Sequence, residues 1–178
     1  MAITEVCRGR TLRKQMAKDQ QTLSANRWLA AHTQPPQTLR QKHLSEDSVL
    51  ARDVLFHALQ RLTKSNFSAA EKSWTRISGA GFLNEAELNR GNAILAIAAG
   101  KTEHSDQIFY LDQVDNQFAN AELEALRLRR GIQLKAWEQL SRWTLKAPQS
   151  TKTNALRWRS WRARSAELIG QTAFSKQA

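Results

Sequence analysis

Between Ser68 and Gly100 the chain twice spells out the start and stop of an α-helix across a joint of a few residues, which leaves room for little but helices. Ser68 and Glu71 have S-x-x-E spacing, the capping box in which each side chain satisfies a backbone N–H that the first helical turn leaves free. They predict a helix through Trp74 to Ile77, ended by Gly79 and Gly81. Asn84 and Glu87 repeat the spacing ahead of a helix carrying Leu88, Ala93, Ile94, Ile97 and Ala98, closed by Gly100. Upstream, Ser45 or Asp47 can cap a helix to about Thr63 with Val49, Leu50, Val54, Leu55, Ala58 and Leu62 on one side. Downstream, a looser helix around 108–114 is followed by helices over 118–130, 132–146 and 153–170. Breaks fall near Asn116, at Gly131, at Pro148 and at Gly170, and Leu123, Leu126, Leu134, Trp137 and Leu140 supply the apolar positions between them.

Only 7 glycines and 3 prolines interrupt 178 residues rich in strong helix formers, and no run alternates β-branched with polar residues. The expected fold class is all-α. Short antiparallel helices with brief loops bury their apolar stripes by stacking on the next pair, so the expected architecture is an irregular α-solenoid, or superhelix, of antiparallel helix pairs. No repeat of about 33 or 34 residues emerges, which sets ankyrin and tetratricopeptide arrays aside. The superhelical domain is expected over 44–178. Residues 1–43 form a poorly defined segment, helical or partly disordered, in which Leu12, Met16, Leu23, Trp28 and Leu29 keep no firm period and Pro35–Pro36 make a break.

The formal charge of +11 is unevenly spread. Residues 1–43 hold eight Lys and Arg against two Asp and Glu, 44–126 hold seven against twelve, and 127–178 hold twelve against two. A basic end after an acidic middle points to an anionic partner or to another part of the same protein that this end faces.

Residues 154–170 concentrate that charge around two tryptophans. At about 100° per residue, Trp158, Trp161, Ser165, Leu168 and Ile169 fall on one stripe, Arg157 and Arg164 flank it on one side, and Arg159 and Arg162 on the other. The tryptophans therefore read as a packing face, forming a structural core with Trp137, Leu140 and Leu168. Arg157, Arg159, Arg162 and Arg164, with Arg129 and Arg130, are the candidate basic surface. Arg127 and Arg142 add to the same charge footprint, but packing of the tryptophans argues against a single-strand stacking platform there.

Signals for catalysis are absent from the sequence. His32, His43, His57 and His104 occur singly, outside any metal-ligand spacing, and phosphate-binding glycine loops and the hydrolase elbow are missing. No metal or cofactor is expected. Cys7 is the one cysteine, which leaves no internal disulfide, and it reads as inert. The acidic pairs Glu85/Glu87, Asp112/Asp115 and Glu122/Glu124 sit in polar runs typical of solvated helix faces, and Asp112 and Asp115 can share one such face. No apolar stretch reaches the roughly 20 residues of a membrane span, and the start of the chain lacks the apolar core of a signal peptide.

Three runs carry a family likeness: L-R-L-R-R from Leu126, W-E-Q-L-S-R-W from Trp137 and, after Pro148, R-W-R-S-W-R-A-R-S-A-E-L from Arg157. Together they resemble the helical superhelix of soluble lytic murein transglycosylases. The last run of that family typically reads Trp-Arg-Tyr-Trp-x-Ala-Arg-Ala before a Leu-Gly turn. Here Trp158, Arg159, Trp161, Ala163, Arg164 and Ile169-Gly170 match it, while Ser160 and Ser165 replace the Tyr and Ala. The likeness is strongest over 119–175 and collinear but weaker over 48–118.

The resemblance implies a periplasmic enzyme family that cleaves peptidoglycan glycan strands to 1,6-anhydro products with one catalytic glutamate in a lysozyme-like C-terminal domain. The Glu-Ser, Gly-Leu-Met-Gln and Ala-Tyr-Asn motifs of that domain do not occur in this sequence. No catalytic residue carries over. The expected role is a non-catalytic scaffold segment, an internal piece of such a protein, partnered by peptidoglycan or by a catalytic domain outside this chain, with self-association through exposed solenoid ends. Location is periplasmic by resemblance, cytoplasmic if Met1 is the true start. The alternative is a stand-alone helical-repeat adaptor that binds a protein or nucleic acid through its basic C-terminal helices.

Overall fold

A computed structural model describes residues 18, 20–40, 48–145 and 152–177, with side chains for 18, 20–40, 48–144 and 158–170. Helices and the turns that join them make up the described residues, with no strand among them, so the fold is all-α. The chain divides into two compact units, Met1–Ile77 and Ser78–Ala178.

In the first unit, helix α1 covers 20–33 and breaks at Gln34. The two prolines do not prolong the break. Pro35 starts a new short helix, α2 (Pro35–Thr38), where a fixed φ and a missing N–H cost nothing. Helix α3 (Val49–Ser65) begins under Ser48, whose Oγ accepts from the Ala51 N–H at 3.1 Å. That side chain, and not Ser45 or Asp47, caps the helix; the latter two lie outside the described residues. Val54, Leu55, Ala58 and Leu62 are buried as their spacing predicts, joined by Ala51, Phe56 and Leu59. Val49 departs from the expected stripe: at the first helical position it is 80% exposed.

Asn66 joins α3 to helix α4 (Phe67–Ser78) by itself. Extended at φ −155°, it donates its N–H to the Leu62 carbonyl and accepts from the Ala69 N–H at 2.9 Å through Oδ1. Ser68 is thereby inside the helix, and the predicted box with Glu71 gives way to an asparagine two residues earlier. Helix α4 buries Ala70, Trp74 and Ile77, a 0/4/7 stripe, with Trp74 tilted against Phe56 at 6.5 Å. Arg76 ties it to the end of α2 by donating to the Leu39 carbonyl at 2.6 Å.

The second unit opens on the predicted box. In helix α5 (Glu85–Thr102), the Glu87 N–H donates to Asn84 Oδ1 and the Asn84 N–H to Glu87 Oε2, both at 2.9 Å. Gly100 does not close this helix, which runs two residues further and ends on Glu103 in the left-handed region at φ 55°. Gly100 instead faces helix α7 (Ala121–Gln133), where a Cβ would stand at ordinary contact distance, 3.5 Å, from Leu126. Gly131, the predicted break, is likewise inside α7. It faces helix α8 (Trp137–Leu145), and a Cβ would meet Leu140 at 3.3 Å and Trp143 at 3.4 Å.

The predicted face of α5 is also incomplete. Leu88, Ala93, Ile94, Ile97 and Ala98 are half-buried, while Asn89, Gly91, Leu95, Ala96, Ala99 and Gly100 are buried, because the helix is covered by two neighbours and not one. Helix α6 (Gln107–Asp112) follows, then a 3-10 turn (Asn116–Phe118) under the Asp115 carboxylate. The Asp115 N–H donates to Asn89 Oδ1 at 2.8 Å, which fixes this turn to α5. Asn120 caps α7. Lys135, also left-handed at φ 55°, turns the chain into α8, and helix α9 (Lys152–Gln177) passes through Gly170 without a break. Firm contacts join α5 to α6 and α7, α6 to α7, α7 to α8, and α8 to α9.

Candidate binding surface

The L-R-L-R-R run lies on α7, where its arginines part company. Leu123, Leu126, Arg127 and Arg130 fall at 0, 3, 4 and 7, one stripe of the helix, and all four are buried. Arg127 is 2% exposed, and Nε and one terminal nitrogen donate to the Leu111 carbonyl at 3.0 and 2.8 Å. The same fork donates to the Val114 carbonyl and, at 2.9 Å, to Asn116 Oδ1, while the guanidinium lies 5.3 Å from the Trp143 ring centre. It thus supplies donors to carbonyls at the end of α6, where the helix dipole favours a cation. Burial pulls its pKa down to about 10, and Asp112, Glu124 and Asp115 oppose that pull.

Arg130 does the same for α5. Its Nε donates to the Gly100 carbonyl at 2.9 Å and a terminal nitrogen to Glu103 Oε1 at 2.8 Å and Gln133 Oε1 at 2.7 Å. Buried among these partners, Arg130 offers little to a ligand, whereas Arg129 is exposed on the opposite side of α7.

Asp112 does not share a helix face with Asp115, because α6 ends at Asp112. Its carboxylate accepts from Trp143 Nε1 at 2.9 Å and from Arg142 at 2.6 Å, joining α6 to α8. Glu124 is not on a solvated face either. It is 8% exposed, and burial raises its pKa, with Arg127 pulling the other way. A carboxyl so covered presents little surface to a substrate. Among the described residues no three His, Cys, Asp or Glu stand together as a metal would need.

On α9, Trp158 and Ser165 are buried, and Trp161, Leu168 and Ile169 half-buried. Trp137 is half-buried and Leu140 fully buried on α8, the helix α9 contacts. Arg159, Arg162 and Arg164 are exposed; Arg164 pairs with Glu167 at 2.7 Å, where both side chains stay more than half in water, so the pair is worth little. The Arg157 side chain and Cys7 lie outside the described residues. Among the described arginines of this unit, Arg129, Arg159 and Arg162 are exposed to water without a carboxylate partner, and Arg164 is half-neutralised.

In the first unit the structure brings together three rings that the sequence keeps apart. His57 of α3 meets Trp28 of α1 edge to face at 5.1 Å and stacks on His32 at 5.7 Å. The two imidazole planes are within 17° of parallel. A signal was present in sequence: Trp28 and His32 are four apart on one helix, and His57 and Arg61 four apart on another. No family model, curated protein or solved structure matches the chain.

Proposed function

We propose that this chain is a non-catalytic helical scaffold, a segment of an irregular superhelix of the kind found in soluble lytic murein transglycosylases, serving in the periplasm. Its α9 arginines hold an anionic partner, the peptide stems of peptidoglycan or a catalytic domain of the same enzyme. The observation that carries the reading is the division of α9: Trp158 and Ser165 are buried while Arg159, Arg162 and Arg164 face water. A helix that spends its tryptophan on packing and keeps its arginines outside is built to join a stack and present charge. The firm contacts among the described helices of the second unit run between helices at most two apart in sequence, as stacked pairs require. The three sequence runs from Leu126, Trp137 and Arg157 lie on α7, α8 and α9, the same stacked helices.

The test is co-sedimentation of the purified chain with insoluble peptidoglycan, with soluble muropeptides assayed in parallel. The reading expects retention that falls several-fold in an Arg159→Gln/Arg162→Gln/Arg164→Gln variant, and no muropeptide release. Anhydro-muropeptides from this polypeptide alone, or retention indifferent to the three arginines, overturns it.

A further inference from the structure

The ring cluster of the first unit joins α1 to α3 through Trp28, His32 and His57. Trp28 is 39% exposed and the most exposed of the six tryptophans, although a large apolar ring gains most from burial. Beside it His32 is exposed and His57 half-buried. Arg61 and Lys64 follow His57 along α3 at about 6 and 10 Å of helix rise, both exposed, and no carboxylate among the described residues pairs with either. The other charged groups close by on these two helices, Arg27 and Asp53, have partners of their own. Exposed rings next to unneutralised cations are what a ligand with a planar face and a phosphate requires: the ring stacks, the phosphate meets the cations, and no sequence-specific contact is needed.

We propose that Trp28, His32, His57, Arg61 and Lys64 form a site for a phosphate-bearing nucleobase, the base stacking on the exposed rings and the phosphate held by Arg61 and Lys64. The ligand chemistry is shared by single-stranded nucleic acid and free nucleotides. Burial first, and then His32, Arg61 and Lys64, lower the pKa of His57, so its ring is neutral at pH 7 in the empty site. A bound phosphodiester, singly charged throughout this range, opposes those positive neighbours and lifts it, so oligonucleotide binding takes up a proton and tightens as pH falls from 7.5 toward 5.5.

The experiment titrates the full chain with a twelve-residue oligothymidylate, with thymidine monophosphate and with inorganic phosphate at low salt, following tryptophan quenching and anisotropy. Quenching by the oligonucleotide or the monophosphate supports the site, and which of the two binds tighter identifies the source. Trp28→Ala and the exposed pair Arg61→Gln/Lys64→Gln each weaken binding at least tenfold, Trp28→Phe restores it to within about threefold, and Arg159→Gln/Arg162→Gln/Arg164→Gln leaves the quenching unchanged. Inorganic phosphate competing as well as the nucleotide, binding indifferent to Trp28, or loss of quenching in the α9 variant overturns the proposal.

Discussion

Replacing Arg127 by methionine isolates what a buried guanidinium contributes to the stack. Methionine keeps most of the stem volume and removes the fork, so the carbonyls of Leu111 and Val114 and Oδ1 of Asn116 each lose a donor. A buried acceptor left unsatisfied costs about 1–3 kcal/mol, so the three together cost roughly 6 kcal/mol. Against this, a charge held at a pKa of about 10 by burial carries a penalty of roughly 3 kcal/mol, at about 1.4 kcal/mol per tenfold change in proton affinity, and the substitution removes it. The net expectation is a loss of about 3 kcal/mol. Arg127→Lys recovers less than half, since an ammonium lacks the planar fork that meets acceptors on two sides. Urea denaturation gives the magnitude and hydrogen exchange its place: amides over 107–118 exchange first in the methionine variant. A loss below about 1 kcal/mol, or full recovery by lysine, refutes the account of Arg127 as the cap of α6.

Four further substitutions test neighbouring points. Gly100→Ala places its Cβ at ordinary contact distance from Leu126 and stabilises by about 0.5–1 kcal/mol through helix propensity, whereas Gly131→Leu, pressed against Leu140 and Trp143, destabilises by about 1–3 kcal/mol in urea melts. Lys135→Gly relieves a left-handed backbone at φ 55° and raises stability by about 0.5–1 kcal/mol by the same measurement. Glu124→Gln has a pH signature: because the folded carboxyl has a raised pKa, its cost is absent below the ordinary carboxylate range, grows as pH rises from there toward the raised value and is complete above it. The variant should melt higher than wild type at pH 7 and level with it at pH 4, and a gain equal at both pH values counts against burial as the cause.

Local signals in the sequence translated into structure where the competing partners are also local. The Asn84–Glu87 box forms because both members lie within one turn, and Trp74 and Ile77 are buried because, with Ala70, their 0/4/7 spacing admits one face. The failures come from tertiary contacts that spacing cannot show. Gly100 and Gly131 look like helix ends, yet both lie inside helices, Gly131 where α8 packs tightly against it, and the real ends fall at Glu103 and Lys135 in the left-handed region. Asn66 displaces Ser68 as a cap because α3 delivers it already extended.

Charge is misleading for the same reason. In the 127–130 run the stripe of Leu123 takes Arg127 and Arg130 inward to carbonyls 16 and 30 residues away, leaving Arg129 outside. Glu124 is drawn under with them. The ring cluster is half legible: the i, i+4 pairs Trp28/His32 and His57/Arg61 are local, but their meeting is a tertiary contact that no local pattern specifies.

The division of arginines between structure and surface can be read in one experiment: brief modification of the folded chain with an arginine-specific dicarbonyl, mapped by mass spectrometry. Arg129, Arg159 and Arg162 should react rapidly and Arg127 and Arg130 only after unfolding. Equal rates at all five would contradict a scaffold whose α7 arginines are capping groups and whose α9 arginines are free to bind.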